Sequence, residues 1–156
     1  MAAPPLNLMH WNTNGMWIKL YELEQIIEAY GMDILLVNET GLKPQHRLHI
    51  HNYENYRNDR IGAPKGVTAI IIKITIQHHR ITLPPLDHIE ATAISVQTGR
   101  TDIIFIAAYK PPPNPIINKD LDKLFDHQPH FLLAGDLYSK HTDWNCRQKK
   151  KAGKDL

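Results

Sequence analysis

Three polar side chains stand where apolar, strand-like runs stop. Leu6 to Trp11 is followed by Asn12, Ile34-Leu35-Leu36-Val37 by Asn38-Glu39-Thr40, and Phe131-Leu132-Leu133-Ala134 by Gly135-Asp136. A strand that ends in a carboxylate or carboxamide aims it into a rim built by loops, where sheet proteins carry their chemistry. A carboxylate beside so apolar a run is partly desolvated unless something compensates it. A hard divalent cation would do so, since magnesium takes one or two protein carboxylates and completes its shell with water and phosphate oxygens. Glu39 is therefore a candidate metal ligand and Asp136 a candidate second carboxylate. On spacing alone both are more simply turn formers or ion-pair partners, and Asn12-Thr13-Asn14-Gly15 reads as a turn whose Asn and Gly tolerate positive φ. Asn38-Glu39-Thr40 also fits the N-glycosylation pattern, a coincidence in a chain without a secretory signal.

The elements that must position these residues alternate between strand and helix. From about Met16 to Tyr30, Leu23, Ile26, Ile27 and Tyr30 fall at i, i+3, i+4 and i+7, the stripe of a helix with one buried face. Gly31 follows where a left-handed cap wants no Cβ. Ile34–Val37 suits a strand buried on both sides. Tyr53–Asn58 and Gly66–Ile76 read as strands, as do Glu90–Thr98 and Asp102–Tyr109, with Gly99-Arg100 as a tight hairpin between the last two. Lys110-Pro111-Pro112-Pro113-Asn114-Pro115 stops the second of these. Asn118 or Asp120 can cap a short helix carrying Leu121, Leu124 and Phe125. The result is a strand-rich α/β or α+β chain with antiparallel hairpins in its middle. A plain doubly wound sheet is excluded, because positions 66–109 offer no helix.

Composition narrows the class. The chain has 156 residues, 42% hydrophobic and 22% charged, enough for one domain with its own core. The single cysteine, Cys146, excludes a disulfide framework and a zinc ribbon. No apolar run approaches the roughly 18 residues of a membrane span, and Met1-Ala2-Ala3-Pro4-Pro5 does not resemble a signal peptide, so an intracellular location is expected. A net charge of +2 does not by itself argue for nucleic acid. Arg147, Lys149, Lys150, Lys151 and Lys154 form a basic tail, more simply a solvated end than a phosphate-binding patch. The ten histidines are scattered without a helical metal pair and read mostly as surface residues.

The ordered set Trp11-Asn12-Thr13-Asn14-Gly15, Val37-Asn38-Glu39-Thr40, Ala107-Ala108-Tyr109-Lys110-Pro111 and Gly135-Asp136-Leu137 resembles the endonuclease/exonuclease/phosphatase superfamily. Within it the likeness is to the apurinic-type endonuclease domain of jockey-like non-LTR retrotransposons of arthropods. Tyr56-Arg57-Asn58-Asp59-Arg60 and Lys65-Gly66-Val67-Thr68-Ala69-Ile70 look like that family's paired central strands. The resemblance runs from about Leu6 to about Arg147. It implies a partial domain at 5–147 followed by the basic tail at 148–156, folded as a four-layer α/β/β/α sandwich of DNase I-like type. It also implies a cofactor, magnesium or manganese, held or oriented by Asn12 and Glu39, with Asn14 beside them. Tyr109 would reach the scissile phosphate, Asp136 would orient and deprotonate the attacking water, and Lys110 would contact phosphate. These roles suit phosphodiester hydrolysis, which needs neutralisation of developing oxyanion charge and an oriented water. The implied partners are double-stranded DNA, in the nucleus, and the reverse transcriptase portion of the same element, with no membrane.

Two departures from the family pattern set a further expectation. The family's Gly-Asp-Phe-Asn stands here as Gly135-Asp136-Leu137-Tyr138, so a phenol replaces a carboxamide with different reach and hydrogen-bonding capacity. In addition, no Ser-Asp-His follows Asp136 up to Leu156, and by the resemblance the closing strands would be missing, leaving an unpaired edge and apolar surface prone to association. The expectation is a retrotransposon-type endonuclease domain with no appreciable nicking as this chain. The alternatives are a non-catalytic nucleic-acid-binding remnant, another phosphoesterase of the superfamily, and a piece that does not fold stably.

Overall fold

In the computed structural model, residues 4–59, 67–112, 118–126 and 129–138 are described. Strands β1 (Leu8–Asn12), β2 (Ile34–Asn38), β3 (Tyr53–Asn58) and β4 (Thr68–Lys73) make one sheet, in the order β1-β2-β4-β3. Strands β5 (His78–Ile81), β6 (Glu90–Gln97), β7 (Asp102–Tyr109) and β8 (Phe131–Asp136) make the other, in chain order. Both sheets are mixed. The pairs β1–β2 and β7–β8 are parallel and the remaining pairs antiparallel. A parallel pair needs a crossover connection, usually a helix. The two crossovers contain α1 (Leu20–Tyr30) and α2 (Asn118–Phe125).

Strand alternation then sorts the core into layers. Leu35, Val37, Ala69 and Ile71 face α1 through Leu23 and Ile27. Their neighbours Ile34, Leu36, Ile70 and Ile72 point the other way, onto Ile94, Val96, Phe105 and Ala107 of the second sheet. Ala91, Ala93, Ile104 and Ile106 form that sheet's outer face, under Leu121 and Leu124 of α2. This is the four-layer α/β/β/α sandwich. Every residue of β2 is buried, which is why its sequence is a continuous apolar run. Gly31 caps α1 at φ 59°, its amide donating to the Ile27 carbonyl.

Several elements differ from expectation. The strand read as Gly66–Ile76 ends at Lys73, where the Ile76 amide donates to the Lys73 carbonyl (3.1 Å) and the chain turns back as β5. That strand went unread because His78-His79-Arg80-Ile81 is polar, as edge strands often are. His78 is not a surface residue: its side chain is 5% exposed and stands edge-on to Tyr56. Pairing of Gln97 with Asp102 leaves four residues, Thr98 to Thr101, in the hairpin loop rather than two. Asp120 does not cap α2. It lies within the helix and accepts the backbone amides of Asp87, His88 and Ile89 at 2.7–3.1 Å, pinning the loop that leads into β6. The Arg60 and Lys65-Gly66 part of the family-like segment, His141, Cys146 and the basic tail at 148–156 lie outside the described residues. Among the described residues β1 and β8 each pair on one side only, and Leu8, Phe131 and Leu132 are 38%, 40% and 37% exposed. No described helix is long and apolar enough to cross a membrane.

Two predictions follow from this frame. A Cβ at Gly135 would lie 1.7 Å from the Ala108 carbonyl oxygen, so Gly135→Ala must push β8 off β7. Its cost should reach or exceed the ~1–3 kcal/mol typical of overpacking, measured by the denaturant midpoint; an unchanged midpoint would refute the close approach. For Asp120, burial alone would raise the carboxyl pKa, but the three backbone amides and the Lys123 charge hold it below the usual range. Its stabilisation is therefore full above the unfolded-state value and lost as pH falls through the lower folded one. Asp120→Asn should flatten the acid limb of stability against pH below about pH 4; an identical acid limb in the two proteins would count against it.

Candidate active site

Register alone gathers the polar strand ends. Across the first sheet Asn12 pairs with Asn38, Asn38 with Thr68, and Thr68 with Asn58. Across the second, Glu90 pairs with Tyr109 and Tyr109 with Asp136. These two rows face each other at one end of the sandwich and are joined by side chains. Asn38, fully buried, donates from Nδ2 to the Ala108 carbonyl at 2.9 Å. The Thr68 and Thr92 hydroxyls share a hydrogen bond of 2.8 Å, and the Val67 amide donates to Glu90 Oε2 at 2.8 Å. Each bond crosses between the sheets and sets their mutual position here, while Asn38 Oδ1 is buried without a hydrogen-bond partner among the described residues.

The loops that follow β1 and β2 are zipped together. The Thr13 amide donates to the Asn38 carbonyl, Gly15 to Glu39 and Met16 to Thr40, at 3.0, 2.8 and 2.7 Å. The buried Thr13 hydroxyl adds a bond to the Glu39 carbonyl at 3.1 Å. Held this way, Asn12 Nδ2 donates to Glu39 Oε1 at 3.1 Å, while Asn12 Oδ1 accepts only the long 3.3 Å bond from the Asn14 amide. A carboxylate and a carboxamide oxygen are hard donors. Too few for a closed protein cage, they fit a magnesium-type ion that keeps most of its shell for water and phosphate. No group of three or more His, Cys, Asp or Glu with metal-site geometry occurs among the described residues. Glu39 and Asn14 on these loops, and Tyr138 after β8, have φ of 50°, 45° and 49°, so three non-glycine residues around the rim sit in the left-handed region. Such conformations cost energy and cluster at functional sites.

On the second sheet, Tyr109 is buried at the end of β7. Burial first, then the Glu39 carboxylate beside it, push its hydroxyl far above the ordinary tyrosine range. Tyr109 is therefore a fixed proton donor. Asp136 Oδ1 accepts the Tyr138 amide at 2.8 Å, and the Tyr138 ring stands edge-on to Tyr109 with centroids 6.2 Å apart. Burial, Glu39 and Asp136 raise the Tyr138 hydroxyl as well.

The structure thus gathers Asn12, Glu39, Tyr109 and Asp136 at one rim, with Asn14 exposed at its edge. Lys110 is the exception. It is 2% exposed, with its amide bonded to the Asp136 carbonyl, so it is not offered to solvent as a phosphate contact. Asn38 and Thr40 are fully buried, which removes the glycosylation pattern from the surface. Two residues escaped the sequence reading. Asn38 joins the sheets, and its one signal was an amide closing an apolar run. His10 shares a strand face with Asn12, two residues earlier, and feels the Asp136 charge; burial nevertheless lowers its pKa.

Sequence comparison gives the family of this two-sheet sandwich with an amide, a phenol and two carboxylates on one rim. Residues 9–156 match the model of the Endonuclease/Exonuclease/phosphatase family, and the chain belongs to that family. It is 29% identical over 152 residues to the Drosophila melanogaster "Probable RNA-directed DNA polymerase from transposon X-element", covering 96% of this chain and 17% of that protein. It is 26% identical over 158 residues to the RNA-directed DNA polymerase from mobile element jockey of the same species, again 17% of that protein's length. The chain therefore spans about a sixth of the curated relatives it matches. The fold is shared with the endonuclease domain of TRAS1, a telomere-specific non-LTR retrotransposon, at TM-score 0.76 and 16% identity, covering 97% of this chain and 68% of that one. It is also shared with the AP endonuclease LMAP from Leishmania major, at TM-score 0.64 and 15% identity, covering 93% and 59% respectively.

The cross-sheet bond yields a prediction. Asn38→Ala should cost ~1–3 kcal/mol, since it strands the buried Ala108 carbonyl. Asn38→Asp should cost more at neutral pH, because it sets a carboxylate against that oxygen. Urea denaturation of both variants measures this; an Asp variant as stable as the natural chain would show that the bond does not form.

Proposed function

We propose that this rim is a magnesium-dependent phosphodiesterase site that nicks double-stranded DNA, with Tyr138 holding its rate down. The observation that carries the reading is the convergence of Asn12, Glu39, Tyr109 and Asp136, from four strands of two sheets, on one rim. Glu39 and Asn12 would hold the cation; manganese would serve in place of magnesium. When bound, that ion supplies positive charge against the oxyanion that develops on the phosphate. Asp136 orients a water and takes its proton as the water oxygen bonds to phosphorus and the bond to the leaving oxygen breaks. Tyr109, kept protonated by its surroundings, donates to a non-bridging phosphate oxygen. Asn14, exposed at the edge of the rim, would contact the adjoining backbone, whereas the buried Lys110 would take no part.

Tyr138 enters this arrangement as an obstruction. Its ring packs edge-on against the phenol that must meet the phosphate. Misplacement by about 1 Å can cost about a hundredfold in rate. The similarity to proteins of RNA-directed DNA polymerase type supports a role beside a reverse transcriptase; in that role the domain would cut chromosomal DNA in the nucleus.

Relaxation of supercoiled plasmid tests this. It should be weak in the natural chain, require magnesium or manganese, vanish in Asp136→Ala and Glu39→Gln, and rise about tenfold or more in Tyr138→Asn. DNA binding without relaxation by any variant would refute catalysis and leave a non-catalytic DNA-binding domain.

A further inference from the structure

The surface beside the rim carries residues that the catalytic reading leaves unused. Trp17, Ile18 and Tyr21 are 47%, 84% and 73% exposed. Large apolar side chains gathered at solvent mark a contact surface. They lie on the 3-10 turn Trp17–Lys19 and the first turn of α1, immediately after the Asn12–Gly15 loop. Their placement is fixed by the Gly15 and Met16 amide bonds to the Glu39 and Thr40 carbonyls and by the fully buried Met16. Trp17 lies flat against His46, with ring centroids 4.7 Å apart and planes 17° from parallel. His46 is itself held: its Nδ1 accepts the Lys43 amide at 3.0 Å and its carbonyl accepts Arg57 Nη1 at 2.8 Å. The aromatic pair is thus part of the folded frame.

Charge indicates what this surface would meet. Lys43 and Arg47 are exposed on the same loop as His46, and positions 40–53 contain no Asp or Glu. Acidic residues of α1 begin only at Glu22. An apolar patch alone would suit a protein partner. A flat aromatic pair beside two exposed cations on a loop free of acidic residues is instead the chemistry of base stacking with phosphates neutralised alongside.

We propose that Trp17, backed by His46, is a stacking platform for an unpaired nucleobase of the DNA that crosses the rim, with Lys43 and Arg47 on its phosphates. The proposal rests on the reading of the rim as a DNA phosphodiesterase site and adds the preferred substrate: DNA in which a base near the scissile phosphate is unpaired. Such a platform is tolerant of base identity, because every base presents a π-face.

Fluorescence anisotropy of the full chain carrying Asp136→Ala, without metal, tests it on two short labelled duplexes. One is fully paired and the other has a single unpaired nucleotide. Adding Trp17→Ala should weaken binding to the second duplex about tenfold and leave the first nearly unchanged. Trp17→Tyr should retain most of the preference, which guards against a folding artefact. Lys43→Gln with Arg47→Gln should weaken both duplexes and lower the salt slope by about two. Equal affinities with and without Trp17, or equal losses on both duplexes, would overturn the platform. So would concentration-dependent self-association abolished by Trp17→Ala, which would make the patch an interface between copies. Because no cleavage is read, plasmid relaxation with Trp17-independent binding refutes the platform alone, and Trp17-dependent binding without relaxation refutes catalysis alone.

Discussion

One hydrogen bond, from Asn38 Nδ2 to the Ala108 carbonyl, ties the two sheets together directly beneath the candidate site. Glu39 follows Asn38 on the first sheet, and Tyr109 follows Ala108 on the second. Tying the first pair together brings the second pair into the same small volume. The same Ala108 carbonyl sits against Gly135, the one residue type that allows so close an approach, and Asp136 is the next residue. Three candidate site residues thus each stand one step beyond a contact that converges on a single carbonyl. Sheets packed only by apolar side chains could slide by fractions of an ångström; a buried amide-to-carbonyl bond removes that freedom.

The strain at the rim belongs to the same logic. Glu39 and Tyr138 adopt left-handed backbone at the points where β2 and β8 hand over to loops. Neither has the side chain that this conformation favours; Glu39 is held by the loop after β1 and Tyr138 by a local bond two residues back. At Glu39 the carbonyl accepts Gly15, and at Tyr138 the amide is fixed on Asp136. Strain held in place by surrounding order turns both side chains across the rim. At Glu39 this presents a carboxylate beside Asn12. At Tyr138 it lays a ring against Tyr109, where the family pattern carries an asparagine.

Much of this was legible in the sequence, and the reasons are specific. Asn12, Glu39 and Asp136 could be singled out because each closes an apolar run, although such a position alone suits a turn former or ion-pair partner, and β2 is apolar up to Asn38 because both its faces are covered. Tyr109 was visible only through family likeness, since an aromatic residue ending a β-branched strand is ordinary core. Lys110 was misplaced because sequence proximity to Tyr109 says nothing about which way a side chain points. Asn38 showed only an amide closing an apolar run, because its partner is a backbone carbonyl 70 residues away. The edge strand β5 and the inward-turned Asp120 were hidden for the same reason: their partners are backbone groups remote in the chain.

If the rim is one site, a cation held by Asn12 and Glu39 on the first sheet lies close to the strand ends of the second. Titration of the isotopically labelled chain with manganese, followed by paramagnetic broadening of its amide resonances, measures this directly. The account predicts that Asn12 and Glu39 on one sheet and Tyr109 and Asp136 on the other broaden together, at the same low metal ratio, and that Glu39→Gln removes the effect on both sheets. Broadening confined to one sheet, or scattered over surface carboxylates and unaffected by Glu39→Gln, would contradict it.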